Sequence, residues 1–311
     1  MFAYARLTPG RGFRPGRALL YYAQRFVTLP APRRLVARMI AACVNWFAGC
    51  ETAVCIDSYG ARVLDELKRD GVTLLAPLAS KAAIGRMATY FMQQPVIGPG
   101  GRTMSLSDLP EDAAAAPYAL ETVVRCPGLM ALVNSPSVLE IASAYIGCKP
   151  TISSLGVRWS FPASTERARF HAFHRDVDDW RFLKLFIYLT DVDADCGPHC
   201  YVRTSHRSAF GLRGRDYRPA ALEARFGADQ MHKVTGPRGT TFLADTIGVH
   251  CGEAPRSRAR LLLQVQYSIL PVFAFRYAPE EPSADAPAVD AYSNRLVVRR
   301  PATQTQWLRL A

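Results

Sequence analysis

From residue 153 onward the apolar residues come in short runs, at 153–161, 170–177, 182–190, 199–203, 239–245 and 260–270, separated by Gly, Pro, Asp and Ser. Runs of this length, rich in β-branched and aromatic residues, predict strands. A succession of strands with few helices fits a closed or jelly-roll β architecture, whose interior can hold a ligand. Before residue 153 the pattern is mainly helical. Residues 16–29 and 33–48 predict two short amphipathic helices, parted by Pro30 and Pro32. Residues 62–70 predict a third, followed by a strand over 71–77. Two more are predicted over 121–132 and 136–146, the latter closed by Gly147. Residues 98–118 read as a mobile loop, 207–235 as a charged, partly helical insertion suited to a lid, and 279–290 as a low-complexity loop. There is no internal repeat.

Composition changes this picture mainly at the N-terminus. The 311 residues exceed a typical domain of about 100–150, but single barrels run longer. A hydrophobic content of 49% and a charged content of 21% are ordinary for a globular chain with a sizeable core. The net charge of +12 is unevenly spread: residues 1–50 carry eight Arg and no Asp or Glu. Two readings of this arm stand side by side. It is a basic, aromatic-bearing element that lies on an anionic membrane or grips an anionic substrate, or it is a helical cap whose arginines are simply solvated. Arg-rich and acid-free, it also has the look of a transit peptide, but it lacks Ser before residue 58. Its most apolar stretch, 39–50, is too short for a membrane span, which needs about 20 residues. Arg beside Tyr21, Tyr22 and Phe26 would also suit nucleic acid, yet no nucleic-acid fold signature accompanies them, so that partner is not expected. Eight scattered Cys and the lack of a signal-peptide pattern predict reduced thiols in a cytoplasmic protein, with peripheral membrane contact confined to residues 1–50. Cys196 and Cys200, with His199 between them, lack the four closely spaced ligands of a structural zinc site.

The candidate chemistry lies in Arg169-Phe-His171-Ala-Phe-His174-Arg-Asp176 and in His250. On a strand, His174 and Asp176 share a face, while Arg175 and His171 turn away. Two His and one carboxylate, with coordination positions left open, suit non-haem Fe(II) that must also bind a co-substrate and O2. Ten residues past His250, Arg260 opens another apolar run, where a fixed guanidinium can grip a free carboxylate bidentately. Its neighbours Arg256 and Arg258 are rivals for that role. Lys184 and Tyr188 share a strand parity and face either the pocket or the outer surface. His199, His206 and His232 have no carboxylate at strand spacing, and His206 suits a turn better than a metal.

These residues also carry a resemblance. His174-Arg-Asp176, the run 182–193, Gly197-Pro-His199, Ser205-His206, Gly236-Pro, Asp245-Thr246, His250 and Arg260 follow one another in the order of the phytanoyl-CoA dioxygenase-like branch of the Fe(II)/2-oxoglutarate oxygenases. The chain resembles that branch over about residues 61–270. The resemblance implies a mainly β fold with flanking helices, built on a double-stranded β-helix (jelly-roll, cupin-like) core. It divides the chain into a basic helical extension (1–60), an oxygenase domain (61–275) with the lid-like insertion, and a C-terminal extension (276–311). It implies His174, Asp176 and His250 as the metal ligands and Arg260 as the partner of the distal 2-oxoglutarate carboxylate. Trp180 falls where relatives often have an aromatic lining the co-substrate pocket, although a packed loop aromatic is an equal reading. Related halogenases carry Gly or Ala where this chain has Asp176, so a hydroxylase or another oxidase of aliphatic C–H bonds is expected. The substrate class the resemblance implies is a small or lipid- or carrier-linked biosynthetic molecule, and the basic N-terminus favours an anionic or amphipathic one. The motif style is closer to bacterial biosynthetic members than to peroxisomal ones. The competing expectation is a catalytically inactive barrel that serves as a ligand-binding or membrane-associated module.

Overall fold

A computed structural model describes residues 3–48, 56–162, 172–209, 217–283, 286 and 288–299. The chain begins with β1 (Ala3–Tyr4), α1 (Pro15–Phe26) and α2 (Pro30–Ala48). Pro30 does part the two helices, but it and Pro32 stand in the first turn of α2, where a missing N–H costs nothing. The third helix, α3 (Ser58–Asp70), starts earlier than its apolar pattern suggests because Asp57 Oδ1 accepts the Gly60 N–H at 2.7 Å. Gly71, at φ 82°, ends it and turns the chain into β2 (Val72–Leu75).

Next come α4 (Lys81–Met92), β3 (Val96–Ile97), β4 (Thr103–Met104) and β5 (Ala115–Pro117). The expected loop over 98–118 is therefore partly ordered, since β3 pairs with β4, and β5 with the edge of the main sheet. The helix expected over 121–132 is two, α5 (Leu120–Val124) and α6 (Leu129–Val133), because Pro127 and the left-handed Gly128 break it. The next helix, α7 (Pro136–Ile146), ends at Gly147 as expected.

The strands that follow are β6 (Thr151–Ser160), β7 (Phe182–Tyr188) and β8 (His199–Val202). After α8 (Pro219–Phe226) come β9 (Met231–Val234), β10 (Thr241–Ala244), β11 (His250–Gly252), β12 (Arg260–Ser268) and β13 (Phe275–Arg276). The strand expected over 170–177 does not form among its described residues: 172–177 is irregular and touches a ladder only where His174 bridges His250. Residues 170 and 171 lie outside the described residues, as does part of the expected lid.

The architecture is mainly β with helices. A six-stranded antiparallel sheet, ordered β2-β10-β7-β12-β6-β5, faces a three-stranded sheet, β11-β8-β9. Opposed residues in an antiparallel ladder point to the same side. The pairings Lys184↔Gln266, Phe186↔Gln264, Tyr188↔Leu262 and Phe186↔Phe242 therefore define one face of the large sheet. Phe186, Tyr188, Phe242 and Leu262 meet Tyr201 and Val234 of the small sheet in one buried cluster. The opposite face (Leu183, Leu185, Ile187, Leu261, Leu263, Val265) packs on α3 and α5–α7 in the larger core. Because both faces are covered, β7 reads as an apolar run broken only by Lys184, whereas β12 is apolar from Leu261 through Leu263 and then alternates, with Gln264 and Gln266 on the face that Lys184 shares.

Candidate metal centre

His174, Asp176 and His250 converge although His174 and Asp176 do not lie on a regular strand. Backbone bonds hold them. His174 N–H donates to His250 O at 2.9 Å, His250 N–H to His174 O at 3.0 Å, and Asp176 N–H to Thr246 O at 2.8 Å. The 245–250 loop is itself fixed to β8 and the turn after it: Tyr201 O–H donates to Asp245 O at 2.7 Å, and Val249 N–H to Ser205 Oγ at 2.7 Å. Among the described residues these three side chains form a cluster whose donor atoms lie within 4.8 Å of one another. His174 Nε2 is 3.7 Å from Asp176 Oδ1, and His250 Nε2 is 3.4 Å from Oδ2. Each His places Nδ1 2.9 Å from a carbonyl oxygen, of Ala172 and of Gly248 respectively. Those contacts put the proton on Nδ1 and leave the Nε2 lone pair to face the carboxylate, as a metal requires. Side-chain exposure runs from 48% at His174 through 18% at Asp176 to 6% at His250, so the cluster opens to solvent on the His174 side.

The charge around the cluster is balanced by Lys184, which lies on the inner face. Its Nζ donates to Asp176 Oδ2 at 2.7 Å and approaches Asp178 Oδ2 at 3.4 Å. Burial pushes the Asp176 carboxyl upward, but Lys184 and then His250 outweigh it and hold it well below the usual range. Lys184 shows the mirror effect: burial lowers its pKa, and the two carboxylates more than restore it. His174 is held below its ordinary value by burial first and by His250 second.

Arg260 starts β12 and is 1% exposed. One guanidinium nitrogen, Nη2, lies 3.5 Å from Ser160 Oγ, while Nε and Nη1 are buried without a partner. Gly252 makes room for it; a Cβ there would meet Nη2 at 3.1 Å. Burial lowers its pKa to about 10. A buried cation with unsatisfied donors is a costly arrangement, and a ligand carboxylate would satisfy it. Arg258 instead pairs with Asp193 on the surface and Arg256 with Asp195.

No family model matches this chain, and no curated protein matches it. Its likeness is to solved structures. EctD from S. alaskensis in its apoform superposes with a TM-score of 0.51 at 17% identity, over 79% of this chain and 90% of that one. The structure of EctD with 2-oxoglutarate and 5-hydroxyectoine gives 0.50 at 17%, over 81% and 93%. HygX from Streptomyces hygroscopicus, with nickel, 2-oxoglutarate and hygromycin B bound, gives 0.50 at 16%, over 74% and 96%. The chain has the fold of these proteins.

That fold brings one unexpected residue to the centre. His199 on β8 is buried, its ring stacks on His250 at 5.5 Å between centroids, and its Nε2 has no partner. Spacing did not single it out. Its signal is the pairing of His199 with Gly252, which is tertiary. Asp178, two residues beyond Asp176, was not singled out either, and it joins the centre only through Lys184 Nζ. Trp180 goes elsewhere. It joins the core on the helical side of the large sheet and lies under the Arg33 guanidinium, 5.6 Å from its ring centroid. There it borders a cavity of about 160 Å³, also lined by Arg175, Arg181, Arg207 and Lys68, with Asp245 the one acid among the described residues. His206 caps α3, its Nε2 3.2 Å from Lys68 O, and His232 lies against Arg203.

Proposed function

We propose that this chain is an Fe(II)- and 2-oxoglutarate-dependent oxygenase, and that its two facing sheets form the double-stranded β-helix of such enzymes. The observation that carries the reading is the His174–Asp176–His250 cluster, with both Nε2 atoms turned inward and its carboxylate held ionised. The iron would be held by His174, Asp176 and His250, and the distal carboxylate of 2-oxoglutarate by Arg260. When bound, the two together supply the oxidation: a C–H bond of substrate, 2-oxoglutarate and O2 become C–OH, succinate and CO2. The protein's own part is positional. Carbonyl contacts fix both imidazoles, Lys184 keeps Asp176 charged, and Phe186 and Phe242, in a buried apolar cluster with Tyr188, pack against His199 beside the centre. The carboxylate at Asp176 favours hydroxylation or another C–H oxidation over halogenation. The substrate class we favour is a small or lipid- or carrier-linked biosynthetic molecule.

The test is anaerobic titration of the purified chain with Fe(II) and then 2-oxoglutarate, followed by visible charge-transfer absorption. A band in the wild type that is absent in Asp176→Ala and weakened in Arg260→Ala is the expected result. No metal uptake in the wild type would leave a ligand-binding barrel instead.

A further inference from the structure

The N-terminal arm has two opposed faces, and among the described residues only one is used by the rest of the molecule. Its inner face is bound firmly to the core. Arg17 donates to Phe273 O at 2.7 Å, Gln24 Nε2 to Asp179 Oδ1 at 3.3 Å, and Asn45 Nδ2 to Gly147 O at 3.0 Å. Arg33 donates to the carbonyl oxygens of Gln24 and Asp179, and Ala18, Ala37 and Ala41 are buried beneath. The outer face is apolar. Of the twelve large hydrophobic side chains exposed among the described residues, nine lie between Leu19 and Phe47. On α1, Leu19, Tyr22 and Phe26 recur at i, i+3 and i+7. On α2, Leu35, Met39 and Trp46 recur at i, i+4 and i+11, opposite the face that buries Ala37 and Ala41. Trp46 is 84% exposed and Phe26 83%. A folded chain does not hold such a surface in water unless something covers it.

The charge beside these stripes identifies the cover. Arg14, Arg25, Arg34 and Arg38 are exposed and flank the apolar positions, and no acidic residue occurs before Glu51. The cavity at the arm's junction with the core adds further cations. Apolar and aromatic side chains on one face, bordered by arginines that can reach outward, match the interface of an anionic bilayer. We infer that α1 and α2 dock this protein on the surface of a membrane bearing anionic headgroups, lying in its plane with Leu19, Phe26, Leu35, Met39 and Trp46 immersed. The arm does not span it. The inference stands apart from the iron chemistry and survives if that reading fails.

The experiment is vesicle flotation of the full chain with phosphatidylcholine alone and with phosphatidylcholine doped with phosphatidylserine. Binding to the doped vesicles, falling as salt is raised, is expected. The variant carrying Leu35→Ser, Met39→Ser and Trp46→Ser changes only outward side chains, so its circular dichroism stays unchanged while its partitioning drops roughly tenfold or more. The pair Arg34→Glu and Arg38→Glu weakens binding to doped vesicles and removes the salt dependence. Failure of the wild type to float with either vesicle overturns the inference, as does partitioning that ignores the serine substitutions. So does a wild-type oligomer that the serine variant converts to monomer without any vesicle binding, since the apolar faces then cover a second copy of the chain.

Discussion

Taking Asp176 out of water raises the cost of its negative charge, and Lys184 Nζ at 2.7 Å offsets that cost. The Lys184→Met variant removes the offset. Its Asp176 carboxyl rises toward and beyond the ordinary range, so metal uptake, measured by Co(II) titration, should weaken by about 10- to 100-fold and fail at a higher pH than in the wild type. Arg260 carries the opposite kind of tension, a guanidinium buried with two unpaired nitrogens. Arg260→Met should stabilise the ligand-free protein in urea by about 1–4 kcal/mol while abolishing the response to 2-oxoglutarate. A variant less stable than the wild type would mean that Arg260 is already satisfied. At this scale the sequence was most informative where chemistry was local. Spacing groups His174 with Asp176 and leaves Lys184 open between the pocket and the outer surface, whereas it cannot find His199, because the approach of His199 to His250 depends on β8 pairing with β11 across a long stretch of chain.

The elements were legible wherever a glycine stop or a strand-like run marked them, as with Gly71 after α3, Gly147 after α7 and the runs of β6, β7 and β12, while the apolar pattern misses the Asp57 cap that starts α3 at Ser58. They were not legible where tertiary bonding replaces a ladder. Residues 172–177 have strand composition, but among the described residues their backbone bonds to the rest of the chain go to Thr246 and His250, and Arg175 adds side-chain bonds to Ile247 O and Ser205 O. The loop from Asp245 to His250 depends on a close approach. A Cβ at Gly248 would meet Tyr201 Oη at 1.9 Å, and one at Gly71, already at φ 82°, would meet the same oxygen at 2.3 Å. Gly248→Ala should cost about 1–3 kcal/mol in chemical denaturation and reduce metal affinity, since the displaced loop carries His250. The contact between arm and core has its own pH dependence through Asp179, which burial raises to about 7 against the partial opposition of the Leu270 N–H. A carboxyl raised in the folded state binds a proton that the unfolded chain has lost. Stability therefore falls as pH rises from about 4 to about 7, by at most about 1.4 kcal/mol per unit, and Asp179→Asn should flatten that slope in urea titrations.

For the molecule as a whole, a metal that binds only the folded chain must stabilise it. At a hundredfold excess over its dissociation constant, Co(II) or Ni(II) should add about 2.7 kcal/mol and raise the melting temperature by several degrees, and Asp176→Ala should remove the shift. The order of strands has a further consequence, which concerns time rather than energy. In the six-stranded sheet only β5 and β6 are neighbours in sequence, while Val72 waits for Ala244 and Leu75 for Thr241. As the chain leaves the ribosome, β2 emerges long before the strand that will cover it, and both metal-binding segments close only after β11 has been made. Refolding should accordingly be slow for its size, with β2 the segment most in need of a chaperone.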